Sequence, residues 1–364
     1  VRAGELFHYN KAQNGLDNII ATDLFSSVNL TVEGISTSHN LKLNLVEKPP
    51  FVVRLAANYD TERTARVFAE FADDNFLGTA NDLTFHIQYG GRDFKSYLDY
   101  RADRLFKSYI TGGFNLHYIT SHHHSFIELE EVGEYSRRAS GLNVTLGQQI
   151  GRYGTLSGNL RFEEIDIDPI SGFGYDTGSL SINTIGIKTV IDTRDQAPFP
   201  SSGKYHIFFY ETSSGFFLGA DITYFKVMNQ LATFNRLGKR HTFCPKVIWG
   251  TSDLTTPYSE QFRLGGIHSF YGLREGQLWG RNMMLMSFEY RYTLPKFWAF
   301  ETYISARYDR GATWNKIESI KSDDFLSGYG AAFAFSTPIG PFTFAYGQTN
   351  KMQRQFYFSA GFEF

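Results

Sequence analysis

Residues 354–364 place Phe356, Phe358, Ala360, Phe362 and Phe364 on one parity and Tyr357, Ser359, Gly361 and Glu363 on the other. A strand has a side-chain period of two, so one face is a row of phenylalanines and the other is mostly polar. In water that row needs a second sheet to cover it; in lipid it needs nothing. The rest of the chain fits the membrane reading. Hydrophobic types make up only 42% of 364 residues, yet 17% are aromatic. No stretch approaches the roughly 18 apolar residues that a spanning helix needs. A membrane barrel dilutes its apolar residues by alternation and escapes that requirement. The charge balance of 35 basic against 37 acidic residues lacks the basic excess of a nucleic-acid binder. The abundance of aromatics excludes a disordered chain.

Residues 1–48 differ from the rest of the chain. Residues 11–22 read as a short helix carrying Leu16, Ile19 and Ile20 on one face. Val28, Leu30 and Val32 alternate, as do Leu41, Leu43 and Leu45, with a Gly/Ser/Thr linker between the runs, so a hairpin is expected. Pro49 and Pro50 end it. From residue 51 onward, strands are expected at 51–59, 63–71, 81–89, 93–101, 109–120, 137–150, 153–168, 179–192, 203–211, 217–231, 242–250, 282–294, 299–309, 328–335, 342–347 and 354–364. That makes a mainly β chain whose segments 49–364 form a sixteen-stranded antiparallel transmembrane barrel, closed because backbone groups in hydrocarbon must pair internally. With the N-terminal segment in the periplasm, the long connectors 121–135, 169–178, 251–281 and 310–327 fall on the outer side, as in bacterial barrels.

Catalytic chemistry is not expected. The single cysteine, Cys244, supports neither a disulfide nor a Cys-based metal site, and no Gly-x-Ser-x-Gly elbow is present. His122, His123 and His124 fall in a connector and read as solvated side chains in preference to a metal site. Asp166, Asp168 and Asp176 read as a solvated acidic loop in preference to a calcium site. Arg54, Arg161 and Lys188 sit at strand midpoints and are expected to face the lumen, paired with carboxylates. No cofactor or metal is called for.

Four stretches then resemble the superfamily of BamA, TamA and the two-partner secretion transporters, in which periplasmic POTRA modules precede a sixteen-stranded barrel. DNIIATDLFSSVNLTVEG and NLKLNLVEKP, within residues 17–50, look like the end of a POTRA module. DTRDQAPFPSSG (192–203) looks like the stretch around the eighth strand and its inner turn. FRLGGIHSFYGLREG (262–276) resembles the sixth-loop motif, and RYDRG (307–311) the strand motif that receives its tip. The resemblance implies that loop 251–281 folds into the lumen. Its motif residues would be Gly265, Gly266, Phe270, Tyr271, Gly272, Leu273 and Arg274, received by Asp309, Gly311, Glu289 and Arg291. The family tip reads Val-Arg-Gly-Tyr or Val-Arg-Gly-Phe; here Tyr271 stands in place of the arginine. Asp309, left without that partner, is expected to contact Arg274 or Arg291, because an unpaired carboxylate in the wall is costly.

The Leu-Gly-Gly and Phe-Tyr-Gly-Leu wording is closest to patatin-like type V secretion proteins, whose lipid hydrolase precedes one POTRA module. The implied function is secretion or membrane assembly of an unfolded polypeptide, held by the POTRA edge and by a lateral seam at Phe51, Val53, Phe358, Phe362 and Phe364. Outer-membrane lipid and lipopolysaccharide are the expected surroundings, and the lipid-facing aromatics leave room for a homodimer. A passive anchor for an enzyme domain is the rival. A diffusion porin is a third reading, opposed by the glycine-rich sixth loop.

Overall fold

The computed structural model describes residues 8–20, 24–34, 40–105, 108, 110–150, 153–295, 300–316 and 321–362. Helix α1 (Tyr9–Ile20) precedes strands β1 (Phe25–Glu33) and β2 (Asn40–Glu47), which pair antiparallel. Eleven barrel strands follow: β3 (Phe51–Asp60), β4 (Thr64–Asp73), β5 (Asp82–Gly90), β6 (Asp93–Ala102), β7 (Ile110–Ile127), β8 (Glu130–Ile150), β9 (Gly154–Gly172), β10 (Gly178–Asp192), β11 (Gly203–Ser213), β12 (Tyr224–Arg236) and β13 (His241–Ser252). A two-stranded hairpin, β14 (Phe262–Leu264) and β15 (Leu278–Gly280), interrupts the series. Five more strands complete it: β16 (Asn282–Thr293), β17 (Thr302–Trp314), β18 (Leu326–Thr337), β19 (Gly340–Thr349) and β20 (Arg354–Gly361). β20 returns to pair with β3, so the sixteen strands form one closed barrel.

Alternation sorts the side chains. Phe288, Tyr290, Ile304, Tyr308, Tyr329, Phe333, Phe344, Tyr346 and Phe356 all face outward and exposed. Their sequence neighbours Ser287, Arg307, Asp309, Ala334, Ala345 and Tyr357 are buried. An exposed aromatic band with a buried polar interior inverts the arrangement of a soluble sandwich and matches a wall in hydrocarbon. Each interior strand bonds to both neighbours along its length, which satisfies the backbone where no water is present.

Two expectations for the strands need correction. The tenth barrel strand begins at Tyr224, well after the expected residue 217. Gly215–Leu218 form a helical turn instead, capped by Ser214, whose hydroxyl accepts from the Phe217 amide, and ended by Gly219 at φ +66°. The exposed Phe216 and Phe217 imitate a lipid-facing strand in sequence. The connector 121–135 is not a loop. β7 and β8 continue through it and meet at Glu128-Leu129, both at positive φ (50° and 74°), as the two central residues of a type I′ hairpin turn are. His122, His123 and His124 are therefore strand residues paired with Ser136, Tyr135 and Glu134. A strand that extends beyond a bilayer has water on its outer face, so its apolar alternation fades and it reads as a loop.

The outward row makes a depth-dependent claim. Phe333→Arg, on the lipid face of β18, is expected to destabilise the barrel by about 2–4 kcal/mol if it lies near mid-membrane. Lys188→Arg, on the same parity as buried Thr184, should stay within about 0.5 kcal/mol. Equilibrium unfolding in phospholipid vesicles distinguishes the two.

Candidate functional site

The connector between β13 and β16 turns back on itself. Its stem is the β14–β15 hairpin and its tip is residues 265–277. Four glycines in the tip take positive φ: Gly265 (133°), Gly266 (87°), Gly272 (87°) and Gly276 (67°), a conformation that only glycine adopts freely. They fold the tip into a compact knot, in which Gly266 donates to the Leu273 carbonyl (3.0 Å) and the Ser269 and Phe270 amides donate to that of Gly266 (3.1 Å each). Phe270 and Leu273 are fully buried, packed with Phe262, Leu264, Met283, Leu285 and Leu326.

The receiving wall is shaped for close approach. A Cβ at Gly328 would lie 2.6 Å from the Phe270 ring; at Gly330, 2.8 Å from Tyr271 Cδ2; at Gly347, 2.9 Å from Tyr271 Cβ. Any side chain at these wall positions would displace the tip. The loop returns the constraint, because a Cβ on Gly272 would sit 2.7 Å from the Gln348 carbonyl carbon.

Asp309 is wholly buried, and its partner corrects the sequence expectation. Neither Arg274 nor Arg291 reaches it. Asp309 Oδ1 accepts from Arg307 Nε at 2.8 Å, and Oδ2 accepts from the Tyr271 amide at 2.9 Å. The reason is strand geometry: residues 307 and 309 share a face, whereas Arg274 lies past the Gly272 turn. Arg274 pairs with Glu131 and approaches Glu62 Oε2 at 3.9 Å. Arg291 pairs with Glu289 at 3.1 Å and donates to the Pro200 carbonyl at 3.0 Å, so it holds the turn 193–202. Gly311 faces its strand neighbour: a Cβ there would meet the Met284 carbonyl, not the tip.

Arg307 went unremarked as a site residue, although its parity with Asp309 was readable. It does more than pair with that carboxylate. Its Nη1 donates to the Ile267 carbonyl at 2.9 Å, its Nη2 donates to that of Ser269, and the guanidinium lies over the Tyr271 ring at 4.4 Å. Lys246 donates to the intervening His268 carbonyl at 2.8 Å. Three consecutive tip carbonyls are thus gripped by wall cations. From β20, Tyr357 accepts from the Gly272 amide (2.9 Å) and donates to the Leu273 carbonyl (2.6 Å). At the loop's entry Glu260, also unanticipated, sits buried among Arg161 (3.2 Å), Arg137 (3.7 Å) and Lys226 (3.7 Å). On the other side Glu275 accepts from Arg63 Nε at 2.8 Å.

Of the other sequence-marked residues, Arg54, Asp166 and Asp168 pair away from the tip, whereas His122, His123 and His124 line the cavity beside it, and half-buried His123 and His124 are not the solvated side chains expected. Arg54 pairs with Glu70, and Arg138 pairs with Asp166 (3.7 Å) and Asp168 (3.2 Å). His124 contacts Glu131 at 2.6 Å. Among the described residues no group of three or more His, Cys, Asp and Glu converges as a metal site. Two cavities flank the tip. One, of about 580 Å³, lies between it and the β3–β7 wall. The other, of about 480 Å³, is bounded by Pro198, Phe199, Glu289, Arg291 and Phe362.

The closing ladder is short. Among the described residues β20 pairs with β3 only at Ser359↔Asp60, Ala360↔Tyr59 and Gly361↔Asn58. The adjacent β19–β20 ladder runs from Phe342↔Ala360 to Gln348↔Arg354. Gly361, at φ +100°, ends β20. Phe51 and Val53, expected at the seam, lie outside its ladder and are exposed. Phe358 is beside the seam: its carbonyl accepts from the Thr61 amide at 3.0 Å, and its amide donates to Thr61 Oγ1 at 3.3 Å. Phe362 follows the strand end, and Phe364 lies outside the described residues.

Arg307→Ala leaves Asp309 buried without its cation. It is expected to destabilise the docked tip by about 3–5 kcal/mol, because a lone buried charge is strongly unfavourable. Lysine at 307 should restore only part, since a single ammonium replaces a planar fork. Protease susceptibility at residues 265–277 reads the release. The outer contacts carry a pH signature. Burial pushes the Glu275 carboxyl up, but Arg63, with a smaller part from Arg66, holds it below the ordinary value. A depressed carboxylate contributes stability above its unfolded pKa of about 4.3 and loses it as pH falls through the folded value. Burial raises the Glu62 carboxyl despite nearby Arg274, so Glu62 protonates first. Hydrogen exchange of residues 273–277, corrected for intrinsic rates, should therefore show the Arg63–Glu275 tie intact at pH 5 and lost only as pH falls below the ordinary glutamate value of about 4.3.

The architecture has solved relatives. The crystal structure of BamA from Haemophilus ducreyi lacking POTRA domains 1–3 superposes with a TM-score of 0.83 at 16% identity, covering 99% of this chain and 80% of that one. CdiB from Acinetobacter baumannii gives 0.64 at 14%, covering 99% and 68%. CdiB from Escherichia coli gives 0.66 at 13%, covering 98% and 71%. At such identities the likeness speaks to fold alone. No curated protein matches the chain. The Omp85 superfamily domain matches residues 75–364, which include the whole internal loop and its receiving wall, and the chain belongs to that superfamily of outer-membrane β-barrels.

Proposed function

We propose that this barrel secretes or assembles polypeptides at the outer membrane, admitting an unfolded chain beside or through the seam between β3 and β20. One observation carries the reading: among the described residues the ladder that closes the barrel joins only three residue pairs. Among the described residues the seam therefore has fewer ladder pairs to lose than any other strand junction in the wall, and the edge of β3 over residues 51–57, unpaired with β20 there, can accept a strand by β-augmentation. Similarity to BamA and CdiB supports the same class.

Residues 1–48 are then the C-terminal part of a periplasmic POTRA module, consistent with the order α1, β1, β2, and residues 49–364 are the barrel with loop 251–281 in its lumen. The chain itself acts as a conduit or insertase, not as an enzyme. Within this class the Leu264-Gly265-Gly266 and Phe270-Tyr271-Gly272-Leu273 wording supports the translocator of a patatin-like type V protein. A hydrolase encoded ahead of residue 1 would support that assignment; tandem POTRA modules there would favour an assembly insertase.

The test locks the seam. Tyr59 and Ala360 are direct partners across it, so Tyr59→Cys with Ala360→Cys, in a Cys244→Ser background, places two thiols at cross-strand separation, about 5.5 Å between Cα atoms. In cells whose only copy is the locked form, proteins normally exported to the outer membrane or medium should accumulate in the periplasm, and reductant should restore them. Unchanged surface and secreted proteomes with the disulfide fully formed would sink the reading.

A further inference from the structure

The seam and the internal loop meet at one outer turn. Thr61, between β3 and β4, exchanges hydrogen bonds with Phe358 of β20. The next two residues face the loop: Glu62 lies 3.9 Å from Arg274, and Arg63 binds Glu275 through two guanidinium nitrogens. The turn is itself braced, because Arg92 donates to the Glu62 carbonyl at 3.1 Å and Asp60 accepts from the amides of Glu62 and Arg63. On the other side of the seam Tyr357, next to Phe358, holds Gly272 and Leu273. Four consecutive loop residues, 272–275, therefore touch β20 on one side and the turn that follows β3 on the other, across the shortest barrel ladder among the described residues.

We propose that residues 272–275 form a strap across the seam, tied to the last strand at Tyr357 and to the first outer turn at Glu62 and Arg63, so that the two edges separate only after one tie releases. The strap spans the gap from inside the lumen, where a chain entering by the cavity beside Gly265–Ser269 would press on the loop first. Its two ends differ chemically. The Tyr357 end is buried and made of neutral hydrogen bonds to backbone, which are unfavourable to leave unpaired. The Arg63–Glu275 end is partly exposed and ionic, so it is screened by salt and is the end that yields first. The role of the strap in admitting polypeptide rests on the function proposed above; the mechanical link does not.

Hydrogen exchange on the full chain in lipid nanodiscs tests the link without a client. Tyr357→Phe removes the hydroxyl and Glu275→Gln removes the charge. In the double variant the amides of Thr61 and Phe358 should exchange about tenfold faster, the effect of losing a bond or two of about 1 kcal/mol each. The β16–β17 ladder should be unchanged. Glu131→Gln frees Arg274 from a partner that lies away from the seam, and should leave the seam amides at the wild-type rate. Heat-modifiable gel mobility verifies that each variant is a folded barrel. If the double variant does not fold, Glu275→Gln alone should give a smaller rise, about threefold, enhanced by salt in the wild type. Faster exchange at Tyr271 and Gly272 with Thr61 and Phe358 unaltered would overturn the strap, as would equal acceleration of the seam by Glu131→Gln. A locked seam that left polypeptide export intact would instead overturn the function and leave the strap standing.

Discussion

A backbone amide or carbonyl in hydrocarbon has no water to turn to, and every other feature of this barrel follows from that constraint. It forces sixteen strands into a closed ring. It places the aromatic rows outside and leaves the polar parity to line an interior. It also makes the junction of β20 with β3 a conspicuous exception, because residues 51–57 of β3 meet no ladder partner in β20 among the described residues. A spanning protein keeps such an edge only where other bonds hold the wall together nearby, and here those bonds come from a loop folded against the inner face.

The loop in turn depends on one buried ion pair. Asp309 and Arg307 sit two residues apart on β17, both nearly free of solvent. Removing charges from water is unfavourable, and their attraction offsets it only when the remaining donors and acceptors are satisfied. The tip completes the set: Asp309 takes the Tyr271 amide, and Arg307 takes the Ile267 and Ser269 carbonyls. Without the loop, a paired but under-bonded charge would remain in the wall; without the pair, the Ile267 and Ser269 carbonyls would lose their donors and the Tyr271 amide its acceptor. Each side is thus the other's hydrogen-bonding environment, which explains how a glycine-rich segment with little propensity of its own is held in one conformation.

Much of this was legible in the sequence, for physical reasons that also mark where legibility ends. Period-two alternation gave sixteen strands because lipid enforces it on every crossing. It failed at Phe216 and Phe217, whose exposed rings imitate a lipid row in a helical turn. It failed again at residues 121–135, where β7 and β8 rise beyond the apolar region and polar residues face water on a continuing strand. The loop and its receiving strand were recognisable by resemblance, and Tyr271 rightly raised the question of how Asp309 is balanced. The answer, Arg307, needed only the rule that i and i+2 share a strand face. Tyr357 was placed on the inward parity by the same rule, but nothing local to it names Gly272 and Leu273 as its partners. Contacts between β20, the β3–β4 turn and the loop join residues from 84 to 297 positions apart, and no single-chain pattern encodes them.

That separation in sequence bears on how the seam behaves. A short ladder between the first and last strands is closed by the longest loop the barrel contains, so its closure carries the largest chain-entropy cost and is the last to be recovered. Placing a strap from a third region across it changes the balance. Residues 267–271, immediately before the strap, are already fixed by Asp309, Arg307 and the wall glycines, so the bonds of 272–275 to Tyr357 and Arg63 add little further ordering and stabilise the seam almost at face value. The same arrangement makes the seam conditional. Its stability is the ladder plus whatever the docked loop contributes, and displacement of the tip removes the second term without touching the first. A wall that is closed in lipid and still able to part thus needs no hinge; it needs a weak ladder and a loop whose position decides how weak.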